Sequence, residues 1–319
     1  MYNEEQKRRF LREKKYSDLT AKHIIHLFEN IQRFEEQWMA DCCTKTAEEL
    51  RPMVDKIMGA RFRTQEVISS YLRAYGKWCL KNKIPGACDG LLRISFDSSD
   101  KIRIQMVQGP MQLQRYLNLV FDPESEETID ILYRCYFWCA FIGIEEEDIS
   151  MIRSSDVDLS LHTVRIDKNE SIYFYYYPKE AENVFQKAVS LQAFRYTHKL
   201  YETISRERKD VDRLFRGYKG NTTIKTVQTA IHNHINDAIS HGKTEKRLSY
   251  TKVKLSGLFY TMYQRECAGF EPEFNRVAAE YVENHPIHNR TDEGDHIRRL
   301  VRARELKRDY DNWKSAFSL

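Results

Sequence analysis

The chain has 319 residues, 41% hydrophobic and 31% charged, with a net charge of +4. This composition predicts a globular protein of one large or two medium domains. Its longest apolar run, Tyr136 to Ile144, is about half a membrane span, and its polar N-terminus carries no secretory signal. Seven cysteines without framework spacing favour a reducing cytoplasm, and Cys135 and Cys139 are predicted to be buried thiols rather than metal ligands.

Residues 1–18 are predicted to form a basic arm, either mobile or a fraying helix, because six of the first fifteen residues are Lys or Arg. Residues 19–121 are predicted to form a small helical bundle of four helices. Helix-period apolar residues run from Ile24 to Trp38, and a capping box at Thr46 and Glu49 begins a second helix. The third helix begins at Thr64 and ends before Pro85, and the fourth covers residues 111–120.

Residues 122–319 are predicted to be a second domain, which begins at Asp122-Pro123. A helix is expected over residues 126–141, followed by a polar segment up to Asp158. Residues 162–166 and 171–177 are predicted to be two strands joined by a turn, because they are rich in β-branched and aromatic residues. A helix is then expected from Lys179.

The segment between that helix and the strands carries a recognisable pattern. Residues 142–158 read Ile-Gly-Ile-Glu-Glu-Glu-Asp-Ile-Ser-Met-Ile-Arg-Ser-Ser-Asp-Val-Asp. They resemble the first catalytic box of tyrosine recombinases (phage integrases), T-G-L-R-x-x-E-L-x-x-L-R-W-x-D-I-D. Without a gap, matching residue types fall at Gly143, Ile144, Asp148, Ile149, Ile152, Arg153, Asp156, Val157 and Asp158. The resemblance also implies that the N-terminal bundle is of the core-binding (SAM-like) type, which grips DNA.

The resemblance implies that the catalytic groups of this family are largely replaced. Glu145 stands where the family has its first phosphate-clamping arginine, and an arginine suits that place because its planar fork donates two parallel bonds. In the second box, Thr251 replaces a histidine and Lys254 replaces the second arginine, with Ser249 as the expected N-cap. Lys168 stands at the turn of the family's general-acid lysine. Alternatively, Lys168 and Lys254 are plain surface lysines.

The nucleophilic tyrosine of the family has one poor counterpart here. The L-G-H motif expected before it is absent, and Tyr310 lies on a strongly basic last helix. Tyr310 is therefore a candidate nucleophile, but helix packing with Trp313 and Phe317 is the other interpretation. The acidic run from Glu145 to Asp148 is interpreted as a solvated helix start rather than a metal site.

Residues 206–254 have twelve Lys/Arg and five Asp/Glu, a surplus of seven positive charges. Local basicity of this kind is typical of a surface that binds a polyanion, although a solvated helical face is an alternative. The side chains predicted to contact DNA are Arg153, Arg216, Lys219, Lys225, Lys243, Lys246, Arg247, Lys252, Lys254, Arg298 and Arg302.

The sequence therefore predicts a mainly α-helical, two-domain protein with a small antiparallel β-sheet in its tyrosine-recombinase-like second domain. It is expected to bind double-stranded DNA, without strand cleavage, as an accessory or regulatory factor of a mobile element. The expected protein partner is a second copy of this chain or an active recombinase. No metal, cofactor or membrane is expected. The alternatives are an active divergent recombinase, with a clamp rebuilt from Lys168, Lys254 and Arg153, and a helical scaffold that binds protein.

Overall fold

The computed structural model describes residues 1–57, 62–94, 99–125, 127–168, 170–197, 203–207, 212–215, 224–286 and 292–319. The chain divides into two compact units, Met1–Lys101 and Ile102–Leu319. Both are mainly helical. The helices are α1 (Glu4–Lys14), α2 (Asp18–Trp38), α3 (Ala47–Ile57), α4 (Phe62–Lys81), α5 (Gly90–Arg93), α6 (Ser99–Gln105), α7 (Pro110–Val120), α8 (Thr128–Phe141), α9 (Glu182–Val189), α10 (Ile224–Ser240), α11 (Tyr250–Cys267), α12 (Phe274–Asn284) and α13 (Asp292–Phe317). Among the described residues, no helix is both long and apolar enough to cross a membrane.

The first residues of the chain, predicted to be a mobile arm or a fraying helix, form helix α1 of the first unit. Phe10 of this helix is fully buried and makes edge-on ring contacts with Phe28, Tyr75 and Trp78. The prediction gave weight to the six basic residues, of which all but Lys7 are exposed, and did not consider that Phe10 is buried. Burying an aromatic side chain of this size holds the helix against the core.

A fully buried ion pair lies inside the first unit. The Lys7 ammonium of α1 donates to Glu35 of α2 and lies 3.8 Å from Asp41. Glu35 also accepts the Cys42 N–H at 3.0 Å, and burial raises the pKa of the Glu35 carboxyl. Glu35, Asp41 and Cys42 offer possible metal-ligand atoms within 4.8 Å of one another. Because the ammonium already bonds to Glu35 and lies near Asp41, it takes the part that a cation would play there.

The predicted capping box is confirmed at the start of α3. The Thr46 hydroxyl accepts the Glu49 N–H at 3.3 Å, and the Glu49 carboxylate accepts the Thr46 N–H at 2.8 Å. The side chain of each residue thus accepts the backbone N–H of the other, and these two hydrogen bonds fix where the helix begins.

The division between the units falls about one helix earlier than the predicted junction at Asp122. Helix α7 was assigned to the N-terminal bundle, but Leu113, Leu117 and Phe121 are buried with residues of α8 in the second unit. The Asp122-Pro123 turn separates two helices of one core. Its polar composition is the same as that of a linker, so composition could not distinguish the two cases.

Helix α8 forms the centre of the second unit. Every residue from Ile131 to Phe141 is buried, as expected for a helix that is apolar on all sides. Helices α11 and α9 pack against α8, and so does the strand Ala193–Thr197. A second cluster joins the later part of α11 to α13 through Phe259, Tyr310 and Trp313.

The predicted strands form the three-stranded antiparallel sheet β1-β2-β3 of the second unit, comprising β1 (Val157–Asp158), β2 (Thr163–Lys168) and β3 (Ser171–Tyr176). In its register, Val164 lies opposite Tyr175 and Lys168 opposite Ser171. A second hairpin, β4 (Ala193–Thr197) with β5 (Thr203–Glu207), was not predicted. After Pro178, a 3-10 turn and α9 follow, which confirms the predicted helix.

Candidate functional site

The segment that resembles the first catalytic box follows directly on α8. Gly143 ends that helix with φ +98°, a left-handed conformation that glycine adopts without strain. Ile144, Ile149 and Ile152 are buried. Glu145 has extended backbone and is followed by the 3-10 helix Glu146–Met151. The apolar positions of the resemblance therefore face the core, and the acidic ones line the start of the turn.

The helix that carries the second box, α11, lies directly against this segment. The Tyr250 hydroxyl donates to the Ile144 carbonyl at 2.8 Å. At Gly257, a Cβ atom would lie 1.7 Å from the Phe141 carbonyl oxygen, so only glycine permits the two helices to approach this closely. Ser249 accepts the Lys252 N–H at 3.4 Å, which confirms it as the N-cap.

This packing brings Lys254 to Glu145. The two side chains form an ion pair, and they are only 29% and 34% exposed, respectively. The two residues that the resemblance aligns with the family's clamping arginines therefore lie side by side. Instead of two positive charges, the pair carries one of each sign.

A second ion pair lies at the end of the β2–β3 hairpin. The Lys168 ammonium donates to both carboxylate oxygens of Asp148, at 3.0 and 2.9 Å. This hydrogen bond, with the charge of Asp148, raises the pKa of Lys168. Asp148 is 5% exposed and Lys168 39%. The interpretation of the acidic run as a solvated helix start is wrong for Asp148, because the lysine covers it.

The remaining acidic side chains give the site a net negative charge. Glu146 accepts the Tyr136 hydroxyl and, at 2.7 Å, the Gln228 amide. Glu147 is exposed. Four carboxylates therefore accompany the two lysines. Stabilising a phosphoryl transition state requires preorganised cationic donors aimed at its oxygens, and here each ammonium already bonds to a carboxylate.

Thr251, which the resemblance aligns with the family's histidine, is exposed on the first turn of α11. Tyr310 is 1% exposed, stacks on Trp313, and donates its hydroxyl to Glu266. Burial, followed by the bond to Glu266, raises the pKa of Tyr310. These surroundings agree with the interpretation that Tyr310 packs in the core with Trp313, because a nucleophile needs an accessible oxygen.

The side chains predicted to contact DNA differ in their exposure and in whether a carboxylate lies close to them. Lys243 and Arg247 are exposed, and neither has a carboxylate within 4.0 Å among the described residues. Arg153 is exposed and lies 3.7 Å from Asp212. Lys225 lies on α10, but its side chain, like Arg216 and Lys219, lies outside what the structure describes.

Of four other predicted contacts, Lys246, Arg298 and Arg302 have partners within the protein, and Lys252 is partly buried. Lys246 donates to the Arg103 and Met106 carbonyls, and burial lowers its pKa to about 8. Burial also lowers the pKa of Lys252. Arg298 bonds to Asp295 at 2.9 Å, and Arg302 lies 3.5 Å from Glu305. Lys246, Arg298 and Arg302 thus already have partners inside the protein, which sequence alone could not indicate.

Sequence reasoning missed Asp148, Tyr136 and Tyr250 as partners in the site. Asp148 carried a signal, since it matches the acidic position of the first box. The tyrosines carried none, because nineteen tyrosines in the chain leave no single one distinctive.

Comparison with known proteins identifies the N-terminal domain. Residues 1–81 match the family model described as MrpR, N-terminal core-binding domain. The XerA recombinase crystal structure is similar at 12% identity and a TM-score of 0.37, over 82% of this chain and 85% of that one. The integrase from mycobacterium phage Brujita follows at 13% and 0.33, over 85% and 80%. At these scores the structural likeness is too loose to place any residue. No curated protein matches.

The chain therefore begins with a core-binding domain, the domain type that the first-box pattern implied. This match confirms the expectation of a core-binding domain at the N-terminal end; it does not cover residues 142–158. The chain combines that domain with a mainly helical second unit and a small antiparallel sheet.

Proposed function

We propose that this protein binds double-stranded DNA and does not cleave it, acting as an accessory or regulatory factor of a mobile element. The core-binding match over residues 1–81 supports the DNA partner. So do the exposed cations Lys243 and Arg247 in the basic segment. All seven cysteines are free, which fits the proposed cytoplasmic location.

The observation that carries the loss of cleavage is the ion pair of Lys254 with Glu145. In the family, the residues at these positions hold the scissile phosphate. Here the Glu145 carboxylate is paired with the Lys254 ammonium. An incoming phosphate must displace this carboxylate and is repelled by it, because both groups are negatively charged. Lys168, the counterpart of the general acid, is held in the same way by Asp148.

DNA binding is tested by measuring affinity against salt concentration. Because phosphate contacts release counterions, log affinity should fall linearly with log salt, at about 0.9 per neutralised phosphate. The double variant Lys243→Ala with Arg247→Ala should reduce that slope by about one to two. A slope near zero in the unmodified protein would refute DNA binding and leave the protein-binding scaffold.

A matched control removes two cations that already bond to carboxylates. Arg276 pairs with Glu273 and Glu280, and Arg299 with Glu283. The variant Arg276→Ala with Arg299→Ala changes net charge by the same amount. Its salt slope should stay within about 0.5 of the unmodified value.

The active divergent recombinase is the second candidate, since lysines still occupy two clamp-like positions. A nicked duplex that traps phosphotyrosyl intermediates separates the two functions. We expect no covalent adduct from the unmodified chain. An adduct that disappears in Tyr310→Phe would establish cleavage and identify the nucleophile.

A further inference from the structure

Strand β3 presents an uncharged row of large side chains to solvent. Ile172, Phe174 and Tyr176 alternate along the strand, so they share one face of the sheet, and they are 56%, 59% and 75% exposed. On the neighbouring strand, Arg165 bonds to Asp167 at 2.9 and 2.7 Å, so those two charges neutralise each other. A contiguous exposed apolar row of this kind is a candidate interaction surface.

The same three residues also present their backbone at the edge of the sheet. Opposed residues of an antiparallel pair alternate between hydrogen-bonded and non-bonded pairs. Counted from the pair that closes the hairpin, Lys168 with Ser171, the bonded residues of β3 are Ser171, Tyr173 and Tyr175. The N–H and C=O groups of the other residues therefore point away from β2. Among the described residues, no strand pairs with that edge.

Exposed edge strands are normally protected by charged residues, proline or a bulge. β3 contains none of these, since it reads Ser-Ile-Tyr-Phe-Tyr-Tyr and pairs with β2 without interruption. A strand without cations is a poor surface for phosphates. It suits a neutral partner, and another copy of the same strand is one.

We propose that β3 is an interface between two copies of this chain, whose sheets join edge to edge across a two-fold axis. This goes beyond DNA binding. Two identical antiparallel edges are self-complementary about an axis at their centre. With the outward backbone groups at alternate residues, Phe174 lies opposite Phe174 of the second copy, and Ile172 lies opposite its Tyr176. No like charges then face one another.

The available area sets how strong this association is. The three side chains expose on the order of 400 Å² per copy, about half of the roughly 800 Å² per partner in a standard interface. The dimer is therefore of the weak, concentration-dependent class. A dissociation constant on the order of 10 to 100 µM fits that class.

The first test measures mass against concentration by sedimentation equilibrium, for the full chain. The unmodified protein should shift from monomer to dimer, and Phe174→Lys should weaken the dimer at least about tenfold, since it places two ammonium groups face to face. Leu161→Lys is the matched control: Leu161 is exposed, apolar and outside the strand. A monomer at all concentrations up to about 100 µM, or an unchanged equilibrium in Phe174→Lys, would overturn the proposal.

The second test fixes the register by cross-linking. Cysteines opposed in a bonded pair have Cα atoms about 5.5 Å apart, within the span of a disulfide. In a Cys267→Ser background, which removes the exposed natural thiol, Phe174→Cys should form a covalent dimer. Oxidised glutathione accepts the two electrons and two protons of the thiols and leaves as two reduced molecules. Ile172→Cys should not cross-link, because it faces Tyr176, and equal cross-linking of both variants would contradict the register.

The variant Phe174→Ala distinguishes DNA from a second copy of the chain as the partner of this row. If this variant weakens duplex binding while its monomer–dimer equilibrium is unchanged, the row contacts DNA and the dimer proposal fails. If it weakens the dimer and leaves single-molecule DNA affinity unchanged, the proposal stands.

Discussion

The Lys7–Glu35 pair of the first unit and the Lys254–Glu145 pair of the second join the same two chemical groups. They differ in their access to water, since the first pair is fully buried and about a third of the second is exposed. A buried pair must stay together, because either partner alone would be a charge without solvent. A part-exposed pair costs little to separate. The first pair therefore belongs to the fold, whereas the second contributes little to it, so either partner of the second pair can be replaced without unfolding the protein.

The largest expected effect comes from breaking the buried pair. Lys7→Met leaves the carboxylates of Glu35 and Asp41 without a cation, and the free energy of unfolding should fall by about 3–5 kcal/mol. Urea unfolding of the full chain, followed by circular dichroism, measures this. Arg8→Met is the control, because Arg8 lies on the same helix and pairs with Glu4 at the surface; its effect should stay within about 0.5 kcal/mol. A loss below about 1 kcal/mol in Lys7→Met would contradict the comparison.

An intermediate effect is expected at Lys168, whose partner Asp148 is almost fully buried while the lysine itself is not. Lys168→Met removes two hydrogen bonds from a covered carboxylate, so stability should fall by about 1–3 kcal/mol. The same unfolding experiment measures it. A loss of stability as large as that of Lys7→Met would mean that burial of one partner alone is enough to make breaking the pair fully destabilising.

A gain of DNA affinity is expected when Lys254 is released. Glu145→Gln removes the carboxylate and leaves the ammonium free for a phosphate, so affinity should rise about five- to tenfold, near 1–1.4 kcal/mol. The salt slope should steepen by about one. Glu147→Gln removes one exposed negative charge from the same segment without freeing a lysine, and should change affinity less than about twofold. Equal gains in both variants would indicate a general charge effect rather than release of Lys254.

The smallest effect is expected from removing Lys254 itself. Its charge is already neutralised by Glu145, so Lys254→Met should change duplex affinity by less than about twofold. Stability should change by less than about 1 kcal/mol. A marked loss of affinity in titrations of the unmodified and variant proteins would show that Lys254 already contacts phosphate in spite of Glu145.

The sequence predicted local structure well where a single element carries its own signal. The capping box of Thr46 and Glu49, the N-cap Ser249, the apolar helix α8 and the hairpin of β2 and β3 each depend on residues a few positions apart. The hairpin β4–β5 lacked so clear an alternation and was missed. The sequence did not show that α1 packs into the core, because this depends on Phe10 meeting rings from α2 and α4, which lie far along the chain.

At the candidate site, the residue types at the two boxes and at the hairpin, namely Glu145, Asp148, Lys168 and Lys254, could be read from the sequence. The pattern of residues 142–158 is contiguous and needs no folding to be recognised. Which of these charges meet became clear from the packing of the second unit. The close approach of α11 to α8 at Gly257 brings Lys254 to Glu145, and the β2–β3 hairpin brings Lys168 to Asp148. Pairing between distant segments follows from packing, and packing is a property of the whole core rather than of any short stretch.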